Sequence, residues 1–293
     1  MPRQLIPHHL PALFAGLSAA AIWGGMYVVS KVVLEVIPPF TLLVIRLVLG
    51  FLALALVILA RGGFSVSKRD FWAFFGVGIV GYGVSLGFQF IGTKLSTAAN
   101  GSLVTSATPA LVLPFAFFLL KEPITRRRLI AILVASLGVL AVIDPRSAQL
   151  SSNLFLGNLS LLGAAVTWAL YSVLVRKVSS GADVLQASAI MLLGGLPLTI
   201  PISAWEISAQ GIGAITPGIL GGILFLGIIS TAIAMFLWNY AFAKLPAAVA
   251  SLTFFAQPVV GTLLGWFFLG ETITPLFVLG GVLIGIGIVI SNE

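Results

Sequence analysis

The chain has 293 residues and a formal net charge of +7; 59% of its residues are hydrophobic, 8% are charged, and its mean hydropathy is +1.17. A soluble domain carries about 25% charged residues, so this composition excludes a water-facing surface and leaves lipid as the solvent. Cysteine is absent, which removes disulfides, thiolate metal sites and thiol redox chemistry, and a basic excess in such a chain reports loop orientation rather than a nucleic-acid partner.

Lipid admits only helices or closed barrels, because every backbone polar group needs an internal partner. Apolar runs of roughly 20 residues select helices. Ten such runs can be drawn, at 12–34, 39–60, 71–92, 97–120, 129–143, 157–175, 184–204, 218–241, 247–269 and 275–290. The first resembles a secretory signal, with Arg3 ahead of it and Ser18-Ala19-Ala20 inside it. It is retained as a span because it is too long for a signal and because Trp23 followed by Lys31 recurs as Trp168 followed by Arg176. The fifth and tenth runs are short for a span and begin alike, with Thr125 and Thr274 suited to helix N-caps and Pro275 suited to the first helical position.

The matching shortness belongs to an internal repeat, which decides the architecture. Residues 88–143 are echoed by 238–290: Lys94-Leu95 aligns with Lys244-Leu245, Pro109 with Pro258, Glu122 with Glu271, Thr125 with Thr274, and Gly138 with Gly287. The fold expected is all-α and integral to the membrane, with ten transmembrane helices in two five-helix repeats at 12–143 and 157–290. Ten spans put both termini on one side. Arg3, Arg61, Lys68, Arg69, Lys121, Arg126, Arg127, Arg128, Arg176, Lys177 and Lys244 then share that side, eleven against Lys31, Lys94 and Arg146 on the other, so both termini are expected to be cytoplasmic. Five helices per repeat invert the second half relative to the first, the usual construction of secondary transporters.

Several polar and aromatic residues fall inside the runs. Gly78, Tyr82, Ser85 and Gln89 are spaced by four, three and four, one stripe of an α-helix. Gln89 aligns with Asn239, beside Trp238 and Tyr240. The two amides can either line a solute cavity or tie helices together. The fourth run carries Thr97, Asn100, Gly101, Thr105 and Thr108 along one face, and the ninth carries Ser251, Phe254, Gln257 and Gly261. Pro109 and Pro258 each free a backbone carbonyl, which makes them candidate hinges or static kinks. Trp23 and Tyr27 correspond to Trp168 and Tyr171, and either line a cavity or pack. Gly24, Gly25, Gly76 and Gly81 are read as sites of close helix contact. Arg46, the cation placed within the span of the second run, away from its ends, can meet a solute carboxylate, bond to carbonyls or snorkel to the interface.

The eight acids, Glu35, Asp70, Glu122, Asp144, Asp183, Glu206, Glu271 and Glu293, all fall at loops or ends of this assignment, and both histidines precede the first run. Intramembrane carboxylates are the usual parts of proton relays and organic-cation sites, so the pattern argues against both. It also argues against a membrane enzyme, which needs a nucleophile, base or metal in the cavity, and no metal-binding set is expected. A channel or a sensor differs from a carrier in not alternating.

Lys121 to Thr125, reading Lys-Glu-Pro-x-x-Thr, Gly270 to Thr274, reading Gly-Glu-x-x-Thr, Trp23-Gly24, and Pro39 with Arg46 resemble the drug/metabolite transporter superfamily, specifically its EamA-type members with two tandem five-helix domains. The resemblance covers nearly the whole chain. It implies a bacterial inner-membrane permease with a central cavity, commonly a metabolite exporter, most similar to those releasing aromatic and other amino acids. The second half departs from the pattern, with Trp168-Ala169 for Trp-Gly and no arginine matching Arg46, so the cavity is chemically asymmetric.

The reading is a monomeric carrier without cofactors that exports small zwitterionic metabolites by alternating access, probed by Trp23, Tyr27, Arg46, Tyr82, Gln89, Asn100, Trp168, Tyr171, Trp238, Asn239 and Gln257. The runner-up is a proton-coupled exporter of other metabolites or drugs.

Overall fold

The computed structural model describes residues 9–96, 108–143, 152–269 and 275–292. Among these, ten helical rods follow in order: α1 Leu10–Leu34, α2 Pro39–Ala60, α3 Lys68–Leu95, α4 Thr108–Leu120, α5 Arg126–Ile143, α6 Ser152–Ser179, α7 Val184–Gln210, α8 Pro217–Lys244, α9 at 247–269 and α10 Pro275–Asn292. Among the described residues there is no strand. Helices α2, α3, α7, α8 and the 155–179 part of α6 are each long and apolar enough to cross a membrane.

Most rods outrun the apolar stretches that announce them. Helix α3 starts three residues before its run, where Ser67 caps it by accepting from the Asp70 N–H at 3.1 Å; α5 starts at Arg126, with Thr125 accepting from the Arg128 N–H at 3.2 Å. Hydropathy marks what faces lipid, whereas a helix continues until its last N–H groups find a cap. Large apolar side chains stand on the outside, including Leu52, Leu56 and Leu59 on α2, Phe117 and Phe118 on α4, and Val278, Val282 and Val289 on α10. A surface of this kind is insoluble in water and complementary to acyl chains.

The principal packing pairs map onto themselves when α1–α5 are exchanged for α6–α10. Helix α2 packs on α7 and α5 on α10; α3 on α6 is matched by α8 on α1, α1 on α9 by α6 on α4, and α3 on α7 by α8 on α2. The closest crossing is between α3 and α7. A Cβ on Gly78 would collide with the Met191 carbonyl, and one on Gly194 with the Phe75 carbonyl, so only glycine lets these backbones meet. Gly24 meets the Gln257 carbonyl of α9 in the same way, at 2.8 Å from a built Cβ, and Gly81 meets the Tyr171 ring. Gly76, expected to be a contact site, faces open space, and Gly25 makes one close approach, to the Leu264 side chain at 3.3 Å from a built Cβ, which a small shift of that side chain would relieve.

Two helices are wound differently from the rest. Residues Ile79–Ser85 of α3 and Phe225–Ile233 of α8 form π turns. In α9 a 3-10 turn at Thr253–Phe255 precedes Pro258. Proline lacks the N–H that would bond to the Phe254 carbonyl four residues earlier, and the tightened turn absorbs that loss. Pro109 is buried at the second described residue of α4.

Helices α2 and α7 are tied at both ends. Glu206, outside the 184–204 run, lies in the last turn of α7 and is buried. Its Oε2 accepts from the Thr41 N–H at 3.0 Å and the Thr41 hydroxyl at 3.3 Å, while Ser203 donates to that hydroxyl at 3.2 Å. At the other end Gln186 Oε1 accepts from the Ser65 N–H at 2.8 Å. The carboxylate thus serves as a remote cap for the start of α2, where the N–H groups have no intrahelical partner. Glu206→Ala is expected to cost about 2 kcal/mol of stability, read as a lower melting temperature of the purified protein, while Glu206→Gln, which keeps an acceptor, recovers most of it.

Candidate functional site

Between the halves lies a cavity lined by Trp23 and Met26 of α1, Ser85, Leu86 and Gln89 of α3, Thr108 of α4, Ala164, Ala165 and Trp168 of α6, Met235 of α8, and Phe254 and Gln257 of α9. Among the described residues no charged side chain lines it. Its volume is about 30 Å³, measured as the space the centre of a water molecule can occupy, which holds a water or two. Admitting a solute of amino-acid size requires the walls to part.

The apolar wall is a cluster of rings. Trp23 meets Trp168 edge-on at 5.6 Å between centroids, and Trp238 and Phe254 close the cluster at 5.3 and 6.2 Å from Trp23. Their polar edges differ in a way that matters. Trp23 Nε1 donates to the Ser230 carbonyl at 3.0 Å and Trp238 Nε1 to Ser172 Oγ at 3.2 Å. Among the described residues Trp168 Nε1 has no hydrogen-bond partner, and neither do Gln257 Oε1 and Thr108 Oγ1. All three side chains are at least nine-tenths buried and all three line the cavity. Burying an unpaired donor or acceptor costs about 1–3 kcal/mol, a cost that a solute with matching groups would relieve.

Behind Trp168 sits a closed polar network. Tyr82 and Tyr171 share a hydroxyl–hydroxyl bond of 2.5 Å; Tyr171 donates to Asn239 Oδ1 at 2.6 Å, and Asn239 Nδ2 donates to Ser188 Oγ at 3.0 Å and Tyr82 at 3.3 Å. The four side chains join α3, α6, α7 and α8 and are fully buried. Tyr171 packs against Trp168 with ring centroids 4.8 Å apart and planes tilted by 35°, so the network holds the ring that presents the open N–H.

Arg46 is buried at 1% exposure and does not snorkel. Its Nε donates to Thr231 Oγ1 at 3.1 Å and its Nη2 to Ser230 Oγ at 3.3 Å and to the Met26 sulfur at 3.5 Å, with the Phe90 ring 5.3 Å from the guanidinium carbon. Met26 also lines the cavity, so the cation stands one side chain behind its wall. A buried guanidinium needs donors satisfied on every side, and the Ser230-Thr231 pair supplies two acceptors from α8.

Of the residues singled out in the sequence, Trp23, Gln89, Trp168 and Gln257 come together at the cavity; Trp238 backs its rings, and Tyr82, Tyr171 and Asn239 form the network beside it. Asn100 and the Tyr27 side chain lie outside the described residues. The presumed single stripe on α3 divides. Gly78 faces α7, Tyr82 the network, and Ser85 and Gln89 the cavity, because the helix is π-wound between them and no longer repeats every 3.6 residues. Met26, Met235, Leu86, Ala164 and Ala165 were not foreseen as lining, nor were Ser230 and Thr231 as partners of Arg46. The last two carried a signal, being the one hydroxyl pair within the apolar run of α8. Among the described residues no three His, Cys, Asp or Glu side chains gather where a metal ion could be held.

The family model described as the EamA-like transporter family matches residues 10–143 and again 155–292. The chain belongs to this family. It is 30% identical over 220 residues, 74% of this chain and 71% of the other, to the Bacillus subtilis (strain 168) protein named uncharacterized transporter YyaM. It is 29% identical over 273 residues, 92% and 95% of the two chains, to an uncharacterized transporter of Archaeoglobus fulgidus. A solved crystal structure with 22% identity superposes with a TM-score of 0.80 over 96% of each chain, a likeness of fold. This EamA-like protein is accordingly a multi-pass membrane transporter of the drug/metabolite transporter superfamily.

Proposed function

We propose that this EamA-like chain is a facilitative carrier that exports neutral and zwitterionic amino acids, aromatic ones among them, across a bacterial inner membrane. In this reading ten spans form two inverted five-helix repeats, 12–143 and 157–290, with both termini cytoplasmic, and a monomer alternates access about the central cavity. The single observation that carries the substrate reading is the uncharged, ring-walled cavity with three unpartnered neutral groups, the Trp168 N–H, the Gln257 amide and the Thr108 hydroxyl. Rings bind planar side chains by area and stacking, the open donor and acceptors suit a polar head, and Arg46 behind Met26 is the candidate partner of a carboxylate. The absence of a carboxylate among the described lining residues supports transport that does not need a proton.

The test is efflux of labelled phenylalanine from proteoliposomes, with and without an imposed pH gradient and with unlabelled amino acid outside. Saturable efflux that accelerates with external amino acid and ignores the gradient is expected; efflux that requires the gradient defeats the facilitative reading, and no efflux above empty liposomes defeats the substrate. Trp168→Phe, which keeps one aromatic ring and loses the pyrrole ring with its open N–H, is expected to raise KM on the order of tenfold together with a lowered melting temperature from the truncated ring, and Gln257→Leu, which removes the amide without shortening the side chain's packed stem, to raise KM similarly with little change in melting temperature.

A further inference from the structure

We propose that Glu122 shuts one end of the transport pathway by clamping the α4–α5 turn onto the start of α9. The turn is built to aim this carboxylate. Lys121, with φ of 59°, adopts the left-handed conformation that a non-glycine residue rarely takes, and the Glu122 N–H reaches back to the Ala116 carbonyl, six residues earlier, at 3.2 Å, closing the end of α4. Glu122 Oε1 then accepts from the Ala247 N–H at 3.0 Å, 125 residues away in the other half, and its Oε2 faces Arg128 Nη1 at 3.6 Å. Arg128 is itself held by the Pro123 carbonyl at 3.2 Å. A left-handed non-glycine residue persists where surrounding structure requires it and concentrates at switching sites.

The placement of the clamp says what it closes. Helices α4 and α9 both line the cavity, through Thr108 and through Phe254 and Gln257. The latter two lie seven and ten residues beyond Ala247, roughly 10–15 Å along the helix. Between cavity and clamp the seam is filled by Leu113 and Ala116 of α4 and by Ala247, Ala248, Ala250 and Ser251 of α9, all buried. Leu113, Ala248, Leu252 and Phe255 also belong to a small apolar cluster with Ala131, Ile132 and Ala135 of α5, separate from the main core. A solute leaving the cavity along the α4–α9 seam toward this end must pass the clamp, which has to release Ala247 for the seam to part.

The chain has no cysteine, so one introduced thiol reports the seam without interference. Ser251→Cys, at a fully buried seam position, is reconstituted in proteoliposomes without solute and its labelling rate by N-ethylmaleimide is measured, alone and combined with Glu122→Ala or with Ala247→Pro. Ala247→Pro removes only the donor at a first helical position, where proline is accommodated, and leaves the turn intact. Both combinations are expected to label on the order of tenfold faster, the factor corresponding to one lost charge-assisted bond. Thr199→Cys, fully buried on α7 away from the seam, is expected to stay within about twofold of its parent rate in the same backgrounds. Unchanged labelling of Ser251→Cys in either background overturns the clamp, and so does a parallel rise at Thr199→Cys, which would mean general loosening. The readout needs no transported solute, so it stands or falls separately from the amino-acid reading.

Discussion

Gly78→Ala is expected to remove the protein from the folded fraction, while Gly76→Ala, two residues earlier on the same helix, leaves it intact. The added methyl at Gly78 would lie inside the Met191 carbonyl and against its Cα, and backbone atoms cannot rotate aside as a side chain can. Overpacking in a well-filled core costs about 1–3 kcal/mol when side chains can yield; where two helix backbones must separate, the loss reaches at least the top of that range. Gly194 of α7 makes the reciprocal approach to the Phe75 carbonyl, so both α3 and α7 would shift and carry Tyr82 and Ser188 out of bonding distance. At Gly76 a methyl meets nothing within 4 Å, and alanine is favoured over glycine in a helix by about 1 kcal/mol. Size-exclusion profiles and melting temperatures of the two variants in detergent check the contrast; a folded Gly78→Ala protein with parental stability would contradict the described crossing.

Asn239→Leu is the second large expected effect. The substitution keeps the forked side-chain skeleton, with somewhat bulkier ends, and removes both an acceptor from Tyr171 and a donor to Ser188 and Tyr82. Each stranded buried polar group costs about 1–3 kcal/mol, so a loss of roughly 2–4 kcal/mol is expected. The sequence left two roles open for this amide, lining a cavity or tying helices, and the variant separates them. An amide that holds four helices together lowers the melting temperature and leaves the KM of the remaining folded protein near parental. A change in KM at unchanged melting temperature would instead assign it to the solute.

How far the sequence reached can be argued from a few residues. The apolar runs located the rods because lipid forbids a break in backbone bonding, and the repeat of Trp23 in Trp168 anticipated two rings that do touch. Glu206 escaped because a run ending at residue 204 says nothing about a carboxylate turning back to a helix start 165 positions away. The pairing of Gln89 with Asn239 placed both amides correctly in helices, but their surroundings differ, one at the cavity and the other in the tyrosine network. No local sequence rule announced the π turns, which arise where close helix crossings demand a winding that propensity alone does not select. The open polar edges of Trp168, Gln257 and Thr108 depend on what stands opposite them in space, which no spacing encodes.

The π turns carry a mechanical consequence. A π turn holds one residue more than the α turn it replaces, and each of these two, in α3 and in α8, sits upstream of a stretch of ordinary helix that carries a side chain at or behind the cavity, Gln89 in one and Trp238 in the other. Shifting the bonding register by a single residue would swivel that downstream stretch by about 100°, re-aiming Gln89 or Trp238 while the helix stays continuous from end to end. Any rearrangement of α3 or α8 at these turns would therefore re-aim side chains by torsion, as a swivel joint does, rather than by bending the rod.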